Sequence, residues 1–192
     1  MTNSYSAVLD ERLLKRMYIE LGKTDKEIAS FFNIDRTTVV HARKEYGIKT
    51  RLTTGRVGEL SAIQKIRELG NELEDMKENN KLSDFDLLVN YQIKVEVIAA
   101  NMHDGRYRFS LSEQEQNGMA ISETRIKLNN GRTKKLFNKT CDFIVFVGID
   151  KRGNSNFWVI PSSDIPLKLQ TLTISPTGKY SKYSNRWDYF RE

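Results

Sequence analysis

Residues 85–98 read FDLLVNYQIKVEVI, two apolar segments joined by a three-residue polar link. Phe, Val and Ile favour strands, and a link of this length between two such segments predicts a β-hairpin. Side chains alternate between the faces of a strand, so Lys94, Glu96 and Ile98 share one face. The hairpin brings Asp86 beside Glu96, and two carboxylates placed in this way can bind Mg²⁺ through oxygen.

A helix is predicted before the hairpin, because apolar residues recur at helical spacing from Val57 to Leu69 and Gly70 follows as a stop. Glu59 lies near its start, on the apolar side. A carboxylate there is costly unless it is hydrogen-bonded or binds a cation. We therefore expect Glu59 to join the two carboxylates of the hairpin.

Two further strands are predicted downstream. Residues 141–149 form a nearly continuous apolar run, which is typical of a strand buried on both faces. Residues 157–160 form the next strand, directly before Pro161.

Residues 8–50 differ from the rest of the chain because their pattern is helical throughout. A three-residue turn separates the second and third predicted helices, which is the arrangement of a helix-turn-helix. The expected helices run from Val8 to Leu21, from the capping box Thr24-Asp25-Lys26-Glu27 to Phe32, and, capped by Asp35, from Arg36 to Tyr46.

A helix-turn-helix places its third helix in the major groove of DNA, where the first turns reach base edges. The segment from Arg36 to Arg56 carries six basic residues and one acidic residue, which suits phosphate contacts. The alternative is a support or dimerisation module whose charges are merely solvated. The predicted DNA contacts are Arg36, Thr37, Thr38, His41, Arg43, Lys44, Arg51 and Arg56.

The polar segment Thr53–Gly55 is predicted to be a linker. It divides the chain into a DNA-binding domain at residues 1–52 and a second domain at residues 53–192.

Composition narrows the classes of partner and cofactor. The chain has 31 Lys and Arg against 25 Asp and Glu, a net charge of +6, which favours a polyanion such as double-stranded DNA. The sequence contains neither an apolar run of about 18 residues nor an N-terminal signal peptide, so we expect no membrane association and a cytoplasmic location. With one cysteine, Cys141, and two histidines, His41 and His103, one chain has too few ligands for a Cys/His zinc site. Any metal must therefore have oxygen ligands.

Taken together, five segments resemble the PD-(D/E)XK nuclease superfamily, the restriction-endonuclease-like fold. The resemblance extends from Thr54 to Ile174 and is similar to restriction, phage and intron-encoded homing members. It implies an α/β (α+β) fold, an αβββαβ core with a mixed sheet preceded here by the small helical domain. It further implies Mg²⁺-dependent, sequence-specific cleavage of DNA, with Asp86 and Glu96 as metal ligands and Glu59 assisting. The segments are Gly55-Arg56-Val57-Gly58-Glu59, Phe85-Asp86-Leu87-Leu88-Val89, Val95-Glu96-Val97, residues 142–150 and residues 157–166.

The chain departs from this family at the lysine expected two residues after Glu96, where it has Ile98. Isoleucine can neither donate a hydrogen bond nor stabilise the negative charge of the transition state. Three explanations are open: an inactivating replacement of the lysine, a substitute residue elsewhere, or a domain that binds DNA without cutting it. Lys94 is the preferred substitute, ahead of Arg106 and Arg108.

Two functions from different classes follow. The first is a metal-dependent restriction or homing endonuclease, which we expect to act as a homodimer because one carboxylate cluster per chain must cut two antiparallel strands. The second is a non-catalytic DNA-binding regulator that retains the fold. In that case Asp86 and Glu96 can be ordinary turn and edge-strand carboxylates, bonded to Lys94.

Overall fold

The structure is a computed structural model that describes residues 9–79, 82–114, 122–175 and 177–191. The chain divides into two units, Met1–Arg51 and Leu52–Glu192. No helix within the described residues is long and apolar enough to span a membrane.

The N-terminal unit consists of three helical segments around a small apolar core. The predicted first helix is present as α1 (Glu11–Lys15), which continues as a π-helical turn (Arg16–Glu20), while its predicted start at Val8 lies outside the described residues. The second and third helices follow the prediction closely as α2 (Asp25–Phe32) and α3 (Arg36–Glu45). The core of this unit includes the fully buried residues Leu9, Leu14, Ile28, Val39 and Ala42.

Local capping interactions define where these helices begin. The predicted capping box is confirmed, since the Thr24 hydroxyl accepts a hydrogen bond from the Glu27 amide at 3.2 Å and the Glu27 carboxylate accepts one from the Thr24 amide at 2.8 Å. Asp35 stands at the N-cap of α3, but its side chain makes no capping hydrogen bond within the described residues, so the predicted role of that carboxylate is wrong. The turn between α2 and α3 is entered through Asn33 with φ of 52°, a left-handed conformation that asparagine tolerates.

The second unit begins directly with helix α4 (Thr54–Glu68), so the linker predicted at Thr53–Gly55 is wrong. The Thr53 hydroxyl accepts a hydrogen bond from the Arg56 amide at 3.2 Å and caps the helix. A Thr-Thr-Gly sequence is typical of loops, but here its first residue is an N-cap and its other two form the first turn.

The rest of this unit is built mainly from strands. Together with α4, these strands and their short helices form a mixed fold, which confirms the predicted α/β (α+β) class. The elements after α4 are β1 (Leu73–Asp75), α5 (Met76–Asn79), β2 (Leu87–Val89), β3 (Ile93–His103), β4 (Arg106–Ser110), β5 (Glu113–Gln114), β6 (Arg125–Lys127), β7 (Arg132–Lys135), α6 (Phe137–Thr140), β8 (Phe143–Ile149), β9 (Ser155–Pro161) and β10 (Thr171–Ile174), with 3₁₀ turns at Ser162–Asp164, Ser181–Tyr183 and Trp187–Phe190.

Strand β3 organises the main sheet. Its first three residues pair antiparallel with β2, which confirms the predicted hairpin. From Val95 to Asn101 it also pairs parallel with β8. Its far end turns back into β4, which in turn pairs with β10. The sheet is therefore mixed, as the family resemblance implied.

Strand β8 is buried on both faces, as predicted, although it starts at Phe143 rather than Cys141. Ile144 and Phe146 pack into one apolar cluster, while Val145 and Val147 pack into the cluster on the opposite face. The second cluster also contains Trp187 from the C-terminal 3₁₀ turn. Helix α4 lies against this face, to which it contributes Ala62, Ile63 and Ile66.

Gly58 sets how closely α4 approaches the sheet. A Cβ atom at this position would lie 2.3 Å from the Cβ of Ala99 on β3, a separation that real atoms do not adopt. The absence of a side chain therefore lets the first turn of α4 rest on β3. Glu59, the next residue, is thereby placed beside the strands.

Strands β5, β7 and β6 form a second, three-stranded sheet within the segment between β4 and α6. It is attached to the rest of the unit through Lys134, which is 2% exposed and donates a hydrogen bond from Nζ to the Pro166 carbonyl at 2.9 Å. Burial lowers the pKa of Lys134 to about 8, because the charged ammonium loses its hydration.

The buried lysine gives the folding free energy a specific pH dependence. Above the folded pKa of about 8, the folded chain releases a proton that the unfolded chain retains up to the ordinary lysine value of 10.5, so stability rises with pH in this window. We expect a gain of about 2 kcal/mol in the free energy of unfolding between about pH 7 and about pH 9.5. Chemical denaturation of Lys134→Met should lack this gain, and an equal rise in both proteins would contradict the assignment.

Candidate active site

A cleft of about 250 Å³ lies where α4, α5, β2, β3 and β7 meet. It contains all three carboxylates that the sequence predicted as a group. Its charged lining residues include Glu59, Lys77, Asp86, Glu96 and Lys135, and Ile98 lies in its wall.

Asp86 stands directly before β2, where its side chain extends the β2–β3 ladder. Its amide donates a hydrogen bond to the Val95 carbonyl at 3.0 Å, and its Oδ2 accepts one from the Val97 amide at 2.8 Å. The side chain is 17% exposed. The carboxylate is thus fixed beside Glu96, which lies between these two residues on β3.

Glu59 is held from two sides. Its side chain is 8% exposed, and its Oε2 accepts a hydrogen bond from Arg56 Nη1 at 3.1 Å. Its Oε1 accepts one from the ammonium of Lys77, which also lies 3.6 Å from Asp86 Oδ1. Lys77 therefore connects the glutamate of the helix with the aspartate of the hairpin.

Glu96 pairs with a lysine from the second sheet. Lys135 Nζ lies 2.6 Å from Glu96 Oε2, and both side chains are less than one-fifth exposed. Burial, together with the negative charge of Asp86, raises the pKa of Glu96 to about 7 although Lys135 acts in the opposite direction. Burial also raises the pKa of Asp86 above its ordinary value. For both carboxylates, burial is the largest cause of the raised pKa.

The predicted substitute for the missing family lysine is wrong. Lys94 is exposed, lies 5.7 Å from the centroid of the Phe85 ring and is absent from the described lining of the cleft. The weaker candidates, Arg106 and Arg108, lie on β4 and are exposed. Sequence reasoning missed Lys77 and Lys135, which stand 9 residues before Asp86 and 39 residues after Glu96.

Arg56, predicted to contact DNA, bonds instead to two carboxylates of its own unit, one of which lines the cleft. Its guanidinium binds Glu59 and, at 3.1 Å, the buried carboxylate of Asp75. Asp75 also accepts a hydrogen bond from the Lys77 amide at 3.0 Å and so anchors the start of α5. Asp75 was a further residue that the sequence did not single out.

Oxygen donors dominate the cleft, which suits a hard cation. In the part of the chain that the structure describes, no three acidic, histidine or cysteine side chains form a ready-made metal cage. Mg²⁺ does not require one, since it binds proteins through one or two carboxylates and takes its other ligands from water and substrate phosphate. The carboxylates of Asp86 and Glu96 are therefore ligands of the kind that Mg²⁺ uses in proteins.

The N-terminal unit presents part of the predicted DNA-contacting set on α3. Arg36, Thr37, His41 and Lys44 are exposed, and Thr38 is half-buried. These side chains are available to a partner. Thr37, His41 and Lys44 lie opposite the face of α3 that buries Val39 and Ala42, and Arg36 and Thr38 flank that face.

Arg43 was predicted to contact phosphate, and the structure contradicts this. The residue is 3% exposed, and its guanidinium forms two hydrogen bonds with Asp25, at 2.7 and 2.8 Å, while lying 4.4 Å from the centroid of the Tyr18 ring. Arg51 is similarly occupied, since it donates to the carbonyls of Gly22 and Lys23 at 2.8 Å each. Both arginines hold the helices of this unit together.

Comparison with known proteins supports the fold. The chain is similar to the structure of a bacterial homing endonuclease, I-Ssp6803I, with a TM-score of 0.51 and 13% sequence identity, over 71% of this chain and 89% of that chain. Neither a protein-family model nor a curated protein matches the sequence. The similarity establishes a nuclease-like fold.

The variants Arg43→Ala and Lys44→Ala test whether Arg43 stabilises the N-terminal unit and its exposed neighbour Lys44 does not. Removal of Arg43 leaves the mostly buried Asp25 without its partner, and breaking such a pair costs about 3–5 kcal/mol. Lys44→Ala should change stability by less than about 0.5 kcal/mol. Amide hydrogen exchange of Val39 and Ala42 in the full chain measures the difference, and equal protection in both variants would show that the Arg43 pair is not structural.

Proposed function

We propose that this chain is a divalent-metal-dependent endonuclease that hydrolyses phosphodiester bonds in duplex DNA at a specific sequence, as a restriction or homing enzyme does. The observation that carries the proposal is the convergence of Glu59, Asp86 and Glu96 with two lysines in one cleft beside the mixed sheet. The similarity of the fold to that of a homing endonuclease supports it.

Mg²⁺ is the proposed cofactor, with Asp86 and Glu96 as its ligands and Glu59 assisting. When bound, such a cation polarises the scissile phosphate and makes a coordinated water a better nucleophile. The chain's own contribution is to fix the ligands. The Val97 amide orients Asp86, and Arg56 orients Glu59.

We propose that residues 1–52 form the DNA-binding domain and residues 53–192 the nuclease domain. Within the first, the proposed contacts narrow to the accessible side chains of α3. Arg36, Thr37 and Thr38 stand at its start, where a recognition helix reaches base edges. His41 and Lys44 lie further along the same helix, where phosphate contacts are made.

The proposed active form on DNA is a homodimer. The described part of one chain offers one cleft with these three carboxylates, whereas a double-strand break requires two hydrolysis events on antiparallel strands. Two chains related by a two-fold axis supply both clefts and match a palindromic or nearly palindromic site.

Ile98 favours a second candidate function. A member of this fold without the lysine expected at that position can serve as a DNA-binding regulator that does not cut. Both functions require duplex DNA, so the two are distinguished by cleavage and not by binding.

Asp86→Asn tests the nuclease proposal. The variant should lose Mg²⁺-dependent cleavage of DNA that contains the site, because it loses a charged ligand. Its metal-free affinity for DNA should be unchanged or higher, because a carboxylate that repels the scissile phosphate has been neutralised. Cleavage is followed on supercoiled plasmids and affinity by titration with EDTA present.

The matched control is Asp84→Asn, which neutralises an exposed aspartate two residues away and should cleave like the unaltered chain. An excess of Asp86→Asn mixed with the unaltered chain should accumulate nicked circles, because only the unaltered half of a mixed dimer cuts and it cuts one strand. Cleavage by Asp86→Asn at the normal rate would refute the metal site. Binding without cleavage by the unaltered chain would favour the regulator.

The variants Arg36→Ala and Lys44→Ala test whether Arg36 recognises bases while Lys44 contacts phosphate. Lys44→Ala should weaken binding to all duplexes about equally and reduce the salt slope by roughly 0.9, because one phosphate contact is lost. Arg36→Ala should instead reduce discrimination against wrong sequences by about 1–3 kcal/mol. Titration against specific and random duplexes at two salt concentrations compares them. An equal loss of affinity for all duplexes in both variants would show that α3 contacts only the DNA backbone. Sequence recognition would then have to come from another segment, such as the His103–Arg108 hairpin.

A further inference from the structure

We propose that Lys135 is the catalytic lysine of this cleft, supplied by β7 in place of the residue that Ile98 replaces on β3. The inference rests on the proposed nuclease function and names the group that completes it. The expected lysine would project from β3 two residues beyond Glu96. Lys135 approaches Glu96 from another strand.

Position is the first argument. Lys135 Nζ lies 2.6 Å from Glu96 Oε2, so its ammonium is next to the carboxylate that precedes the missing lysine. Lys135 and Ile98 line the same cleft. Lys135, together with Lys77 and Arg125, therefore places positive charge in the cleft whose wall includes Ile98, and Lys135 is the one of the three that contacts Glu96.

Rigidity is the second argument, because a catalytic ammonium must be held in place. Strand β7 pairs with both β5 and β6, and Lys135 is in register with Arg125. The preceding side chain, Lys134, points into the core and bonds to the Pro166 carbonyl. Since side chains alternate along a strand, anchoring Lys134 directs Lys135 to the cleft.

Lys77 is the rival lysine, and its contacts indicate a different role. Its side chain is 54% exposed and belongs to the four-residue helix α5. Its ammonium binds Glu59 and lies near Asp86, so it contacts the carboxylate oxygens that a divalent cation would use. Lys77 thus bridges two carboxylates and is largely exposed, whereas Lys135 contacts Glu96 alone and is 18% exposed, so we assign Lys77 to holding Glu59 and Asp86 together.

The step that Lys135 assists is hydrolysis of one phosphodiester bond. A water oxygen forms a bond to phosphorus, the bond from phosphorus to the leaving sugar oxygen breaks, the water releases a proton to solvent and the leaving oxygen takes one up from solvent. The ammonium of Lys135 remains protonated throughout. It donates hydrogen bonds to the attacking water and to the phosphate oxygen on which negative charge develops, where a fixed donor is most effective.

The test compares the unaltered chain with Lys135→Met, Ile98→Lys and the double variant. Lys135→Met should slow single-turnover cleavage by about 10²–10³-fold, the effect of removing one fixed donor to the transition state. The double variant should regain at least about tenfold, because Ile98→Lys restores an ammonium in the same cleft. Lys139→Met, which removes an exposed lysine on α6, is the matched control and should cleave normally.

Mn²⁺ binding to the DNA-free proteins gives a readout independent of activity. Lys135→Met should bind Mn²⁺ at least as tightly as the unaltered chain, since the variant frees Glu96 from its hydrogen bond. Glu96→Gln should bind more weakly. Electron paramagnetic resonance of free Mn²⁺ measures both, and circular dichroism verifies that each variant is folded.

Chemical rescue is a second way to restore an ammonium, and it leaves the sequence of β3 unchanged. Lys135→Cys treated with 2-bromoethylamine regains a side chain of lysine length that ends in an ammonium, whereas iodoacetamide produces a neutral one. The native Cys141 should not react, because it is buried and burial raises the pKa of its thiol to about 12. Aminoethylation should restore cleavage, and carbamidomethylation should not.

The outcomes separate the two proposals. Normal cleavage by Lys135→Met would overturn the role of Lys135 and leave the nuclease function intact. Loss of cleavage that neither Ile98→Lys nor aminoethylation restores, in a folded variant that binds Mn²⁺ normally, would also overturn it. Absence of cleavage by both the unaltered chain and Ile98→Lys, on DNA that both bind, would overturn the nuclease function itself.

Discussion

The hydrogen bond from the Val97 amide to the Asp86 carboxylate joins the fold to the site. Beyond the pair Leu87–Val95, the Asp86 amide still bonds to the Val95 carbonyl, and the Val97 amide then bonds to the Asp86 carboxylate instead of a backbone carbonyl. This bond fixes the point at which the hairpin opens. It also fixes Asp86 beside Glu96, so the same contact that ends the ladder begins the cleft.

Charge compensation is the second constraint on the cleft. Carboxylates that are largely buried next to each other would be protonated or displaced without nearby positive charge. Here Arg56 and Lys77 hold Glu59, and Lys135 holds Glu96, each from a different element of the structure. Lys77 and Lys135 therefore connect α5 and β7 to the hairpin, and Arg56 connects α4 to Asp75 at the end of β1. The arrangement is a structural support and, in our proposal, also the catalytic apparatus.

Much of this architecture could be predicted because it depends on local sequence patterns. The hairpin, the buried strand β8 and the capping box at Thr24 each depend on residues that are close in sequence, where periodicity and hydrogen-bonding chemistry are decisive. The three carboxylates could be grouped for the same reason, together with a family resemblance. Two exceptions were local as well: Thr53 was read as part of a loop although it caps α4, and α1 changes to a π-helical turn that no residue pattern announces.

The positive charges could not be assigned in this way. Whether an arginine binds DNA or its own protein depends on which carboxylate lies nearby in space, and Asp25 stands 18 residues from Arg43. Lys135 is 39 residues from Glu96 and reaches it through an additional sheet. Lys94, in contrast, is close in sequence and on the expected strand, yet it lies over Phe85. A basic residue has a long, flexible side chain, so sequence distance says little about its partner.

The close contact between Gly58 and Ala99 affects how mutational data on this protein should be interpreted. A screen that scores activity would group Gly58 with the residues of the cleft, although it has no side chain and can touch neither cation nor DNA. Adding one methyl group would push the first turn of α4 away from β3 and carry Glu59 with it. Sensitivity to substitution at this position therefore measures the spacing between two backbones, and a map of intolerant positions would overstate the number of residues that take part in the chemistry.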